Sequence, residues 1–181
     1  MQIEPDIIIA DTRRWLERAV IGLNLCPFAK SVHTKDQIRW QVSGATTPEE
    51  LMADLVAELN LLRDADPQEI DTTVLVHPLV LRDFLDYNDF LDVVDAVVEE
   101  LGLDGVLQVA SFHPDYQFAG TDAEDMGNFS NRSPYPTLHL IREASLDKAV
   151  AAFPDAERIY EANIETLEKL GRPGWDALWK D

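Results

Sequence analysis

Three short stretches hold the side chains best able to do chemistry. The first, SFHPDYQFAG from Ser111 to Gly120, sets His113, Asp115 and Tyr116 within four positions. An imidazole titrates near neutral pH, so His113 suits a general acid or base, with Tyr116 close by. The second, NRSPYP from Asn131 to Pro136, contains Arg132, the only lysine or arginine between Arg82 and Arg142. A guanidinium holds a carboxylate or phosphate through two parallel hydrogen bonds, and Asn131, Ser133, Tyr135 and the nearby His139 add further polar contacts for a ligand. The competing role for Arg132 is an ion pair to Asp122 or Asp125 that ties the segment together.

The third stretch, LNLCPFAK from Leu23 to Lys30, carries Cys26, the chain's single cysteine. A cysteine followed by proline fits the start of a helical turn, where the helix dipole lowers the thiol pKa, and Lys30 and His33 are near enough to assist. Amid Leu23, Leu25 and Phe28, a small core residue is the other reading. CPFA resembles the CPxC of thioredoxins only weakly, because Ala29 replaces the resolving cysteine and Cys26 follows a helix. A metal site would join His113 to His77 or His139, with Asp115, Asp122 or Asp125 supplying oxygen. No HExxH or paired CxxC spacing supports one, so no metal ligand is assigned.

The elements that must position these residues follow from periodicity. Asp6 to Leu23 has helical apolar spacing, ending near Gly22. Gln37 to Ser43 reads as a strand. A second helix spans Pro48 to Arg63, with Thr47 as N-cap, Pro48 at the first position and Glu50 completing a capping box. Thr72 to Val76 is a β-branched strand. A third helix, capped by Asp86 or Asn88 and ended by Gly102, precedes a strand at Val106 to Phe112. Thr137 to Arg142 forms a fourth strand. Ser145 then caps a helix through Ala152, and another runs from Pro154 or Asp155 to Leu170, stopped by Gly171. Trp175, Leu178 and Trp179 share one helical face that docks the tail on the body.

Strand, helix, strand, helix, strand is the βαβ rhythm, so three strands are expected to run parallel under helices. The predicted class is α/β, with α+β as the alternative: one domain over 1–181 with a mostly parallel or mixed four-stranded sheet. About twenty residues join the third and fourth strands. Tyr116, Phe118, Phe129 and Tyr135 anchor that loop, and Pro114, Pro134 and Pro136 stiffen it, so order is expected. Pro136, preceded by Tyr135, is a candidate cis proline, although trans is the commoner form. Ligands in such folds collect at the carboxyl ends of strands, where His113 stands.

Composition narrows the function. The 181 residues include 34 acidic and 15 basic side chains, a net charge of -19 that argues against nucleic-acid or anionic-membrane partners. The longest apolar run, Ala19 to Ala29, is too short to span a bilayer, which takes about 20 residues. MQIEPD lacks a signal peptide's basic region, and one cysteine permits no internal disulfide, so a cytoplasmic location is expected.

GLNLCPFA, DFLDYNDFLD, VASFHPDYQFAGT and NRSPYPTLHLIRE together resemble a bacterial family known as domain of unknown function number 1415. The blocks span most of the chain. The resemblance implies no activity, but places Cys26, His113, Tyr116, Asn131, Arg132, Tyr135 and His139 inside motifs like the family's own, with His77 outside them. The expectation is an enzyme acting on a small anionic metabolite, with His113 as general acid or base, Cys26 as nucleophile or pocket wall, and Arg132 as anion anchor. The alternatives are a non-catalytic small-molecule binding module and a metal protein using His113 and His139. The sequence names no cofactor and does not fix the oligomeric state.

Overall fold

A computed structural model describes residues 4–181. Four strands form one mixed sheet: β1 (Ile38–Val42), β2 (Thr72–Val76), β3 (Leu107–Phe112) and β4 (Thr137–Arg142). Their order is β1-β2-β4-β3. β1 and β2 pair in parallel, and β4 is antiparallel to both β2 and β3. The first three strands therefore run the same way, as the βαβ rhythm requires, but β4 separates β2 from β3. The long loop after β3 lets the chain turn back between them without a crossover helix.

Helix α3 (Pro48–Asp64) joins β1 to β2, and α4 (Phe84–Glu100) joins β2 to β3. Both lie on one face of the sheet. Leu51, Leu55, Leu59 and Leu62 of α3 and Tyr87, Phe90, Val94 and Val98 of α4 pack there with Leu75, Leu107, Leu138 and Leu140. The capping box of Thr47 and Glu50 starts α3 as its sequence predicts. At α4 the cap is Asp83, whose side chain accepts from the backbone N–H groups of Leu85 and Asp86, so the helix begins before the predicted Asp86 or Asn88. The earlier start brings Phe84 into the helix and sets Tyr87 one turn along it.

The opposite face is covered by α1 (Pro5–Trp15), which continues without a break into a π-helical turn, Leu16–Ile21. Ile8 of α1 packs on Val74 and Val76, beside Ile38, Trp40, Val42 and Tyr135. Alternation along the strands then assigns every side chain. Thr72, Val74, Val76, Thr137, His139, Ile141 and Phe112 belong to the α1 face. Residues His77 and His113, one step past Val76 and Phe112, turn to the α4 face, where both rings pack on Tyr87.

Three further helices complete the α1 side. A short α2 (Ala29–Thr34) follows the Cys26 turn, and α5 (Glu143–Ala152) follows β4. Ser145 is not the cap of α5, which starts at Glu143 with no side-chain cap; its hydroxyl donates instead to Asp71 at 2.6 Å. The tail forms α6 (Ile159–Ala177), with a kink at Gly171, whose φ of 67° and ψ of 172° break the helix where the sequence predicts a stop. Beyond the kink, Trp175 is buried with Phe129, Leu167, Trp15 and Leu16. The loop between β3 and β4 is ordered around a 3-10 turn, Met126–Asn131, and every described peptide bond is trans, Pro136 included. Among the described residues no helix is long and apolar enough to cross a membrane.

Candidate functional site

His113 sits where the sequence expects it, at the carboxyl end of β3, but its ring is fully buried. Nδ1 accepts the backbone N–H of Asp115 at 3.0 Å, so the ring proton lies on Nε2, which donates to the Leu81 carbonyl at 3.1 Å. Its backbone N–H donates to Asn131 O at 3.1 Å. Burial pushes the pKa of His113 down, and Phe84 and Tyr87 pack on the ring at 5.4 and 5.0 Å. The geometry therefore spends both ring nitrogens, Nε2 on joining the end of β3 to the turn before α4 and Nδ1 on the start of the loop after β3. His77 is built alike: its Nδ1–H donates to Val80 O at 3.0 Å, it stacks on Tyr87 at 5.8 Å, and burial pushes it down to about 4.

The other loop residues hold the loop. Arg132 makes no ion pair to Asp122 or Asp125; Nε donates to Tyr116 O at 3.0 Å and Nη2 to Ala123 O at 2.7 Å. Asn131 donates to Ser111 O at 3.0 Å, and Ser133 to Tyr135 O at 2.6 Å. The Tyr116 ring packs on Phe84 and Phe118 at 5.1 and 5.0 Å. Tyr135 donates its hydroxyl to Asp11 at 2.5 Å, and burial together with that carboxylate pushes its pKa up to about 12. A residue the sequence reading passed over organises the centre: the buried Asn128 accepts from Phe118 N at 2.9 Å and donates to Asp122 O at 2.8 Å. Its only signal is an amide in a loop too long to lack internal anchors.

His139 and Cys26 lie elsewhere, and together. Both line a cavity of about 740 Å³ between the α1 face of the sheet, α2 and α5. Thr72, Thr137 and His139 form its polar floor, and Trp15, Trp40 and Phe112 its aromatic wall. Phe28 and Phe153 meet edge-to-face at 5.9 Å beside it, and the exposed Lys35 and Lys148 stand at the rim. Thr72 Oγ1 lies 2.6 Å from Leu140 O and 2.7 Å from His139 Nε2. The hydroxyl has one proton and the carbonyl can only accept, so Thr72 donates to Leu140 and His139 Nε2–H donates to Thr72. That leaves the Nδ1 lone pair uncommitted among the described residues. Burial pushes His139 down to about 4, so the ring is neutral at pH 7. Burial also pushes the Cys26 thiol up, against the backbone N–H groups of Phe28 and Ala29 that act the other way.

Whether Cys26 and His113 share a site is left open by the sequence, and they do not: His113 faces α4 and Cys26 lies on the α1 side. His113 and His139 are on opposite faces for the same reason, so one metal ion cannot bridge them. Among the described residues no three His, Cys, Asp or Glu side chains are grouped to hold a metal. Trp15, Thr72 and Phe112, unsuspected from sequence, belong to the cavity because alternation and α1 place them there.

A second cavity, of about 540 Å³, opens between the β3–β4 loop and α6. Arg132 and Ser133 line it, with Arg14, Arg172, Trp175 and Trp179. Trp15 belongs to both cavities, and its buried indole N–H has no hydrogen-bond partner among the described residues.

Neither a curated protein nor a solved structure matches the chain. One family model does, over residues 7–177, so nearly all of the structure just described, including every lining residue of the two cavities except Trp179, lies within the match. The chain belongs to the family described as Protein of unknown function (DUF1415).

Proposed function

We propose that the protein binds a small, largely apolar or aromatic molecule in the cavity above Thr72, Thr137 and His139. One observation carries the reading: a neutral imidazole, fixed by Thr72, holds an uncommitted Nδ1 at the floor of a large aromatic cavity. A concave apolar site with a few convergent polar groups is the usual form of a small-molecule site. The ligand would bury its apolar body against Trp15, Trp40 and Phe112 and donate one hydrogen bond to His139. Lys35 and Lys148 at the rim favour an acidic group at its outer end.

Binding is favoured over catalysis by the state of the two reactive side chains. A general base works best with a pKa near the working pH, and a value of about 4 leaves His139 a hydrogen-bond acceptor rather than a proton carrier. A thiol raised by burial is likewise a poor nucleophile, because the thiolate is the reactive form.

The test uses 8-anilinonaphthalene-1-sulfonate, an aromatic anion, together with iodoacetamide alkylation of Cys26. Saturable probe fluorescence is expected, with slower alkylation when probe is bound. Ala149→Trp, which fills the cavity from its α5 wall, should abolish the protection of Cys26 while the protein stays folded by circular dichroism. Equal protection in that variant would overturn the reading.

A further inference from the structure

Arg132 is half-buried, and among the described residues it makes no ion pair at all, although the chain has 34 carboxylate side chains against 15 lysines and arginines. A guanidinium withdrawn from water is normally paired, because its desolvation is costly otherwise. A second cation shares its aromatic platform. Arg132 and Arg172 both pack over the Phe129 ring, at 4.4 and 5.3 Å from its centroid. Arg14 lines the same cavity. Each guanidinium has five donors in a planar fork. Arg132 spends Nε and Nη2 on loop carbonyls, Arg172 spends Nε on Asp176, and Arg14 spends Nη2 on Trp179 O and Asp181. The remaining donors are free to meet a ligand.

Two carboxylates share the wall. Asp11 is taken by the Tyr135 hydroxyl at 2.5 Å, and Asp115 stands within reach of Arg132's field but outside ion-pair distance. The cavity thus carries three guanidiniums against two carboxylates, in a protein whose net charge is -19. Its apolar surface includes three indoles, Trp15, Trp175 and Trp179, of the chain's four tryptophans. The Trp15 N–H, buried without an acceptor in this shared wall, is a further donor with no explanation inside the protein.

We propose that this cavity is an oxyanion site, distinct from the sheet-face cavity, which takes a phosphate or carboxylate between Arg132 and Arg172 with an aromatic or planar body against the indoles. The anion replaces the missing partner of Arg132 and relieves the repulsion between the two guanidiniums. Loop and α6 meet at this point, so a bound anion also ties the tail helix to the loop.

Three of four tryptophans at the site make intrinsic fluorescence the readout. Phenyl phosphate and benzoate are titrated at constant ionic strength set with chloride, and inorganic phosphate is run beside them. A saturable fluorescence change and a raised melting temperature are expected with at least one aryl anion, and the stronger of the two identifies the headgroup. Arg172→Gln is the informative variant, because Arg172 is largely exposed and holds no loop carbonyl; it should weaken binding tenfold or more. Arg63→Gln, an exposed arginine paired with Asp64 far along the chain, should leave binding unchanged. No saturable response to phenyl phosphate, benzoate or phosphate beyond chloride, or equal affinity in Arg172→Gln, overturns the proposal. The sheet-face cavity is independent of this outcome, since its readout, the protection of Cys26, and its blocking variant report on the other side of Trp15.

Discussion

His139 is a hydrogen-bond donor to Thr72, through Nε2 at 2.7 Å, because the Thr72 proton is already committed to Leu140 O at 2.6 Å. The two residues sit on neighbouring antiparallel strands, with Thr72 opposite Ile141 and His139 opposite Val74. The diagonal contact fixes the tautomer and aims the other nitrogen away from the strand pair. A residue that sequence spacing places merely inside a strand thereby becomes the polar centre of a cavity.

That arrangement makes stability depend on pH in a defined direction. His77 and His139 are both pushed down to about 4 in the folded protein, against about 6.5 in the unfolded chain. As pH falls below 6.5 the unfolded chain takes up protons that the folded one refuses, so stability is greatest above that value and declines towards pH 4. Each group contributes up to about 1.4 kcal/mol per pH unit in that window, with the cavity-facing His139 contributing less than the fully buried His77. Urea midpoints measured between pH 7.5 and 4.5 should fall on acidification, and His139→Leu should flatten part of the slope. Identical slopes for wild type and variant would show that His139 takes up its proton as easily folded as unfolded.

How far the sequence could be read depended on the range of the interactions. The Thr47–Glu50 capping box, the β2 run and the stop at Gly171 are legible because each is decided within a few residues. In DFLDYND four side chains can cap a helix, and Asp83 is used because that start sets Phe84 and Tyr87 against His113, information held in the packing. The place of β4 between β2 and β3 is a pairing of distant segments, invisible to periodicity. For the site, residue type indicated capacity and not neighbours. The Leu81 carbonyl that engages His113 is 32 positions away, and the cavity holding His139 is assembled from α1, α2, all four strands and α5.

His113 gives the sharpest contrast between an acid–base role and a structural one. Its ring bridges Leu81 O and Asp115 N inside the aromatic cluster of Phe84 and Tyr87. Replacing it by alanine removes two hydrogen bonds and leaves a void, a loss of about 2–4 kcal/mol. For a chain of this length that lowers the melting temperature by roughly 5–15 °C. Probe binding in the sheet-face cavity should persist in the folded fraction, since the ring lies on the other face of the sheet. A His113→Ala protein that melts with the wild type but loses a ligand or an activity would restore the catalytic role.

Gly22 controls the shape of the cavity wall without touching a ligand. It follows the π-helical turn, and its N–H donates to Glu17 O at 3.0 Å, the five-residue spacing of a π turn. Its φ of -59° is ordinary, so conformational freedom is not the reason for glycine here. The reason is space: a Cβ would lie 2.3 Å from the Arg18 carbonyl oxygen, a backbone atom that cannot rotate away. Alanine must therefore displace the turn that carries Leu16 and Val20, both in the cavity wall next to Trp15. Gly22→Ala is expected to cost about 1–3 kcal/mol and to change probe affinity and tryptophan emission together. Gly44→Ala is the control, since nothing lies within 4 Å of its added methyl group. If both substitutions leave affinity and emission unchanged, the π turn does not set the wall.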